Sequence, residues 1–126
     1  MDDEVVRVLD IKKSYFESVT KSLWAVANED GGTAFYHADH TIPPAAGKTG
    51  SSQVISNAAR HNIDSAEDER ILMTQDDALF AAFFPYKNPE IVAVAVVENG
   101  AHGGSTAAPI VYKMLRAYHM KTAILK

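Results

Sequence analysis

Lys48-Thr49-Gly50-Ser51 is the stretch of this chain best furnished for chemistry. It joins an ammonium, two hydroxyls and a glycine, set among small residues in AAGKTGSSQV (45–54). Such a set recognises an anion, and it does so in two different settings. A phosphate loop of the Walker type needs Gly-x-x-x-x-Gly-Lys-[Ser/Thr] between a strand and a helix, because the helix N-terminus supplies the amides and the dipole. Here Ile42 stands where the first glycine belongs, Pro43-Pro44 follow it, and TGSSQVIS downstream is strand-like rather than helical. The nucleotide reading therefore lacks its supports. The second setting is a strand edge. There Lys48 offers a point charge to a carboxylate, Thr49 and Ser51 offer charge-assisted hydroxyl bonds, and Gly50 lets a ligand backbone lie close.

Other chemistry-bearing residues carry plainer readings. His37, Asp39 and His40 form a polar loop, with no fourth ligand to complete a metal site. Asp76-Asp77 mark the turn into a strand rather than an acid–base pair. Trp24 falls beside an apolar helix face and belongs to the core. Arg60, His61 and Glu67-Asp68-Glu69 form a solvated excursion over 56–70. Ser18-Val19-Thr20-Lys21 matches Ser-x-x-Lys, but a match this short arises by chance, and it lies inside a helix where a nucleophile should open one.

The elements that must position these residues follow from periodicity. Tyr15, Phe16, Val19, Leu23 and Val26 recur at three- and four-residue steps, predicting a helix over 12–28, stopped by Asn28 and Gly31-Gly32. Pro43-Pro44 force an extended approach to a strand over 45–55. ALFAAFF (78–84) and IVAVAVV (91–97) are continuous apolar runs, as in strands covered on both faces, and PYKNPE links them as in an antiparallel hairpin. Gly100, Gly103 and Gly104 predict a flexible loop. Pro109 then opens a helix with Ile110, Val111, Met114, Leu115 and Tyr118 on one apolar side. The expected fold is α+β: an antiparallel sheet of about three strands with N- and C-terminal helices packed on it.

Composition bounds the rest. The chain has 126 residues, 47% of them apolar, so it carries a real core in a single domain or part of one. A net charge of −4 gives no basic footprint for nucleic acid. No apolar run approaches the ~20 residues of a membrane-crossing helix, and Met1-Asp2-Asp3-Glu4 is acidic where a signal peptide is basic, so the segment is expected to be soluble. Without cysteine there is neither a disulfide framework nor a thiolate metal site.

Lys-Thr-Gly accompanies Ser-x-x-Lys and Ser-x-Asn in penicillin-binding proteins and the serine β-lactamases. GGTA before the motif, AGKTGSSQV at it, DALFAAFFPYKNPEIVAVAVVENG after it and GGSTAAPIVYKML near the end resemble, in that order, the C-terminal part of class B penicillin-binding proteins, nearer the elongation type than the division type. The resemblance implies a partial transpeptidase (β-lactamase-like) fold over 1–126, with Lys48, Thr49, Gly50 and Ser51 as the substrate- and β-lactam-binding residues. Ser51 replaces the family's usual Thr and keeps its hydroxyl, and Ser52 replaces Ala. Glu98 matches a structural strand-end position. The implied activity is peptidoglycan D,D-transpeptidation by acyl-serine transfer, with no cofactor and no metal. The implied partners are a stem peptide and β-lactams. The implied location of the parent protein is the inner membrane, facing the periplasm.

The nucleophile motif and Ser-x-Asn do not occur in the expected places, so the resemblance implies a fragment that is inactive alone. A non-catalytic binding module of the same fold is the first alternative, and a serine β-lactamase or carboxypeptidase relative the second. IVAVAVV, uncharged and without its neighbouring strands, is expected to leave an open edge through which the chain self-associates.

Overall fold

A computed structural model describes residues 10–53 and 75–124. Along them run α1 (Lys13–Asn28), a 3-10 turn (Phe35–His37), β1 (Ala46–Ser52), β2 (Asp77–Phe84), β3 (Ile91–Val97), a π turn (Gly103–Ala107) and α2 (Ala108–Ile124). The acidic N-terminus, the end of the expected 45–55 strand and the 56–70 excursion, with Arg60, His61 and Glu67-Asp68-Glu69, lie outside the described residues.

The three strands make one antiparallel sheet in the order β1-β2-β3. Lys48 lies opposite Ala81, and Ala81 opposite Val94. The fold is α+β, as the helix–strand–strand–strand–helix pattern requires. Alternation along β2 buries Ala78, Phe80, Ala82 and Phe84 on one face. Their cross-strand partners on β3 are Val97, Ala95, Ala93 and Ile91. The alanines leave room for α2, which lowers Val111, Tyr112 and Leu115 onto this face. The Phe80 and Tyr112 rings stack at 6.1 Å. Burying a side chain such as Phe80 or Leu115 contributes about 1.5–3 kcal/mol, so this face holds the molecule together.

The opposite face is different. Val92, Val94 and Val96 are 68%, 55% and 59% exposed. The runs read as covered on both faces are, among the described residues, covered on one, and β3 pairs with β2 alone. Composition reports that both faces are apolar; it does not report what covers them.

The same distinction corrects the helices. The first half of α1 leaves Tyr15, Phe16 and Val19 exposed, while Ala27 in its second half is fully buried. Asn28 ties that end down, donating Nδ2 to the carbonyls of Trp24 and Ala45, each at 2.8 Å. Trp24 is half-buried and lies 6.2 Å from the Tyr86 ring. On α2 the buried stripe is Ala108, Val111, Tyr112 and Leu115, while Ile110 and Met114 point outward. Docking through the π turn sets the rotation of the helix, so Tyr112 displaces the expected Met114 from the core.

Candidate functional site

Among the described residues β1 is an edge strand, and its alternation divides the Lys-Thr-Gly residues between two faces. Thr49 and Ser51 lie opposite Phe80 and Ala78, on the face that α2 covers; Lys48 and Gly50 lie opposite Ala81 and Leu79, on the open face. Both sets line one cleft of about 520 Å³, together with Thr33, His37, His102, Gly103, Gly104 and Ser105. The structure thus brings together all four residues singled out in the motif.

Two turns form the walls of the cleft. After α1 the chain doubles back, and Thr33 sets its hydroxyl 2.8 Å from that of Thr49. On the other side, the Ser51 hydroxyl donates to the carbonyl of Ala101 at 3.2 Å. Ala101 holds φ at 61°, a left-handed conformation that costs a residue with a Cβ about 1–2 kcal/mol. Its N–H is secured by the Asp76 carbonyl at 2.8 Å. Lys48 donates Nζ to the Thr49 carbonyl.

Gly103 and Gly104 are not the flexible loop expected of them. Both are buried in the π turn. A Cβ on Gly104 would fall on the carbonyl oxygen of Thr33, and one on Gly103 would meet the backbone of Leu79 and Gly50. The paired glycines let this turn press against β1 and the Thr33 turn together, which locks the cleft floor. The signal in the sequence was the Gly-Gly pair followed by small residues; its partners were not visible there.

Among the described residues, the ten that line the cleft include one ammonium, two imidazoles and four hydroxyls, and no carboxylate. In a chain of net charge −4 this is a site for an anion.

The profile of the penicillin binding protein transpeptidase domain matches residues 1–116 of the sequence. The chain belongs to this family. It is 34% identical over 110 residues to the peptidoglycan D,D-transpeptidase MrdA of Salmonella typhimurium (strain SL1344), covering 86% of this chain and 17% of that protein. To the MrdA of Haemophilus influenzae it is 33% identical over 110 residues, covering 85% of this chain and 16% of that protein. The chain therefore spans about one-sixth of the length of these curated relatives. Penicillin-binding protein 2 of Pseudomonas aeruginosa, solved in complex with WCK 5153, superposes with a TM-score of 0.70 at 26% identity, over 94% of this chain and 23% of that one. The Helicobacter pylori penicillin-binding protein 2, solved in complex with MreC, shares the fold with a TM-score of 0.69 at 23% identity, over 90% of this chain and 18% of that one.

Within this transpeptidase-family segment the remaining candidates separate. His37 lines the cleft, but Asp39 and His40 do not. Asp39 accepts from the Thr41 hydroxyl and N–H and from Arg116 Nη1 at 3.1 Å, and these bonds hold its carboxyl below the usual carboxylate range. Asp39 in turn adds to the effect of burial on the Tyr112 phenol, which is pushed up to about 12. His40 Nε2 lies 3.1 Å from the Phe35 carbonyl. No group of three metal-ligating side chains occurs among the described residues. Asp77 accepts the Asn99 N–H at 3.0 Å, tying the turn after β3 to the start of β2. Glu98 sits in that turn. Ser18 lies in the middle of α1, exposed and away from the cleft.

Proposed function

We propose that this chain supplies the Lys-Thr-Gly wall of the acyl-transfer site of a peptidoglycan D,D-transpeptidase, as the C-terminal part of its transpeptidase domain. The observation that carries the reading is the cleft at the edge of β1, where, among the described residues, Lys48, Thr49 and Ser51 stand beside no carboxylate and no further strand. Lys48 supplies charge to the terminal carboxylate of a stem peptide, the Thr49 hydroxyl donates to that carboxylate while accepting from Thr33, and the Ser51 hydroxyl does so by turning from the Ala101 carbonyl to the ligand. Gly50 leaves the strand edge bare beside the ligand backbone, and the N–H of Ser51 stabilises the developing oxyanion. The nucleophile comes from a Ser-x-x-Lys segment other than residues 18–21. Its hydroxyl attacks the carbonyl between the two terminal D-alanines, the last D-alanine leaves, and an amine of a neighbouring strand takes the acyl group from the serine ester. A β-lactam acylates the same serine by opening its ring. Peptidoglycan as substrate places the parent protein at the inner membrane, facing the periplasm. No helix among the described residues is long and apolar enough to cross a membrane.

The test is covalent labelling with a fluorescent penicillin, read by intact mass. The 126-residue chain is expected to take no label. The same residues joined to a segment bearing Ser-x-x-Lys are expected to take one label per chain, with Lys48→Ala slowing acylation about 10²-fold or more. A stoichiometric adduct on Ser18 of the isolated chain overturns the reading, and so does equal acylation of Lys48→Ala and the unaltered protein.

The open edge of β3 is proposed to make the isolated chain self-associate. Residues 91–97 carry no charge to guard that edge. In such pairing the edge meets the same edge of a second copy about a two-fold axis.

A further inference from the structure

In GGTA (31–34) packing explains the residues on either side of the threonine. Gly32 lies on the end of α1, where a Cβ would stand 2.5 Å from the carbonyl oxygens of both Ala25 and Val26. Ala34 is fully buried, and its N–H donates to the Val26 carbonyl at 2.9 Å. Thr33 is exposed and lines the cleft. Its hydroxyl stands 2.8 Å from that of Thr49, and among the described residues neither hydroxyl has another hydrogen-bond partner.

The backbone of Thr33 is clamped from both sides. α1 holds it from behind through Gly32 and Ala34, and Gly104 presses on its carbonyl oxygen from the π turn. A β-branched side chain on a fixed backbone has few rotamers, so the hydroxyl is presented at one point. Two bonded hydroxyls hold two protons: one closes the bond and the other points away. A carboxylate only accepts, so in the cleft it draws the pair into a single polarity, with Thr33 donating to Thr49 and Thr49 donating to the ligand. The chain then ends on a charge, and each bond polarises the next. A neutral carboxamide at the same place draws much less from it.

We infer that Thr33 is a positioning residue of the acyl-donor site, acting through Thr49 and strengthening that hydroxyl as a donor to a ligand carboxylate in particular. The inference rests on the carboxylate-binding role proposed for Lys48, Thr49 and Ser51, and it extends the site from β1 to the turn that follows α1. Thr33→Val keeps the branched shape and removes the hydroxyl. Thr49 then still has a proton for the ligand but has lost the bond behind it. Thr33→Ser keeps that bond.

The experiment is single-turnover acylation of the complete transpeptidase domain of the parent protein, because the isolated chain is expected to lack the nucleophile and to self-associate. The two donors are the thioesters of N-benzoyl-D-alanine with thioglycolic acid and with thioglycolamide, identical except for a terminal carboxylate in one and a carboxamide in the other. In both, the serine oxygen bonds to the thioester carbonyl carbon, the C–S bond breaks, and the thiol leaves with the serine's proton, to be read by a thiol-reactive chromophore. Thr33→Val is expected to slow the carboxylate donor about 5-fold and the carboxamide donor less than about 2-fold, and Thr33→Ser to restore the ratio of the two rates. That ratio is taken within one protein sample, so it does not depend on the fraction folded. A ratio unchanged in Thr33→Val, or not restored in Thr33→Ser, overturns the positioning role. If Lys48→Ala at the same time slows the carboxylate donor selectively, the carboxylate reading of the cleft stands and Thr33 alone is removed from it. If Lys48→Ala leaves both donors at their unaltered rates, the carboxylate reading fails, and the role of Thr33 with it.

Discussion

At the scale of single residues, polar side chains in this molecule divide by whether their bonding groups are already committed. The Thr33 and Thr49 hydroxyls hold each other, and Ser51 holds the Ala101 carbonyl, so the hydroxyls of the cleft are pre-oriented before any ligand arrives. Asp39 is engaged in the same way, by Thr41 and Arg116, but outside the cleft. Its carboxyl is held below the ordinary value of 3.8, first by the Thr41 bonds and then by Arg116. A carboxyl with a folded pKa below its unfolded one binds fewer protons when folded, so it stabilises the fold above about pH 4 and loses that contribution as pH falls through the folded pKa. Asp39→Asn is expected to lower stability at pH 7 by up to about 1 kcal/mol, the range for an exposed pair. Urea unfolding at pH 7 and again near pH 2 is the measurement. The difference between variant and unaltered chain should shrink toward zero in acid, since both then carry a neutral side chain there.

At the scale of elements, the site exists because two turns meet across β1. Gly104 is the hinge of that meeting, with Thr33 backbone where its Cβ would be. Gly104→Ala must push the turn carrying Thr33 away from β1, and overpacking of this kind costs about 1–3 kcal/mol. The expected result is a fall in Tm of several degrees. It should come with loss of the Thr33–Thr49 hydroxyl pair, seen as faster amide exchange at residues 33 and 49. Gly31→Ala is the control. Gly31 has φ of 84° but no neighbour within 4 Å of a built Cβ, so alanine there strains only the backbone and leaves the cleft walls together. Equal effects of the two substitutions on exchange at Thr49 would show that the packing of Gly104 does not hold the cleft.

At the scale of the whole molecule, the fold is finished on one side only, among the described residues. Val92, Val94 and Val96 continue through Phe83 to a groove of about 480 Å³ that includes Phe16, and Tyr15 and Val19 are exposed on the same helix. Apolar surface on this scale, next to an unpaired strand, drives association. The chain is expected to scatter light as a dimer or larger species at micromolar concentration. Val94→Lys, with a charge placed in the centre of the exposed strand face, is expected to return it to a monomer without loss of the α2-covered core. A monodisperse monomer for the unaltered chain would refute the open-edge account.

The sequence by itself determined a good deal. Lys48-Thr49-Gly50-Ser51 sits on a strand because proline before it and small or β-branched residues around it permit nothing helical, and short continuous apolar runs bounded by turn residues set β2 and β3 within a residue of their observed bounds. These are local properties, written in steric preference and periodicity. Contacts between distant positions were not written there. Thr33 reaches Thr49 across 16 positions and Ser51 reaches Ala101 across 50, through one hydrogen bond each. Neither pairing leaves a periodic trace. Gly103 and Gly104 looked like slack, and only packing shows them to be buried between β1 and the Thr33 turn. The Met114-to-Tyr112 exchange has the same origin, since a one-dimensional pattern gives the width of an apolar stripe but not the rotation at which a helix docks. Which apolar face is covered was likewise decided only in three dimensions, because burial is a relation between elements and hydrophobicity is a property of one.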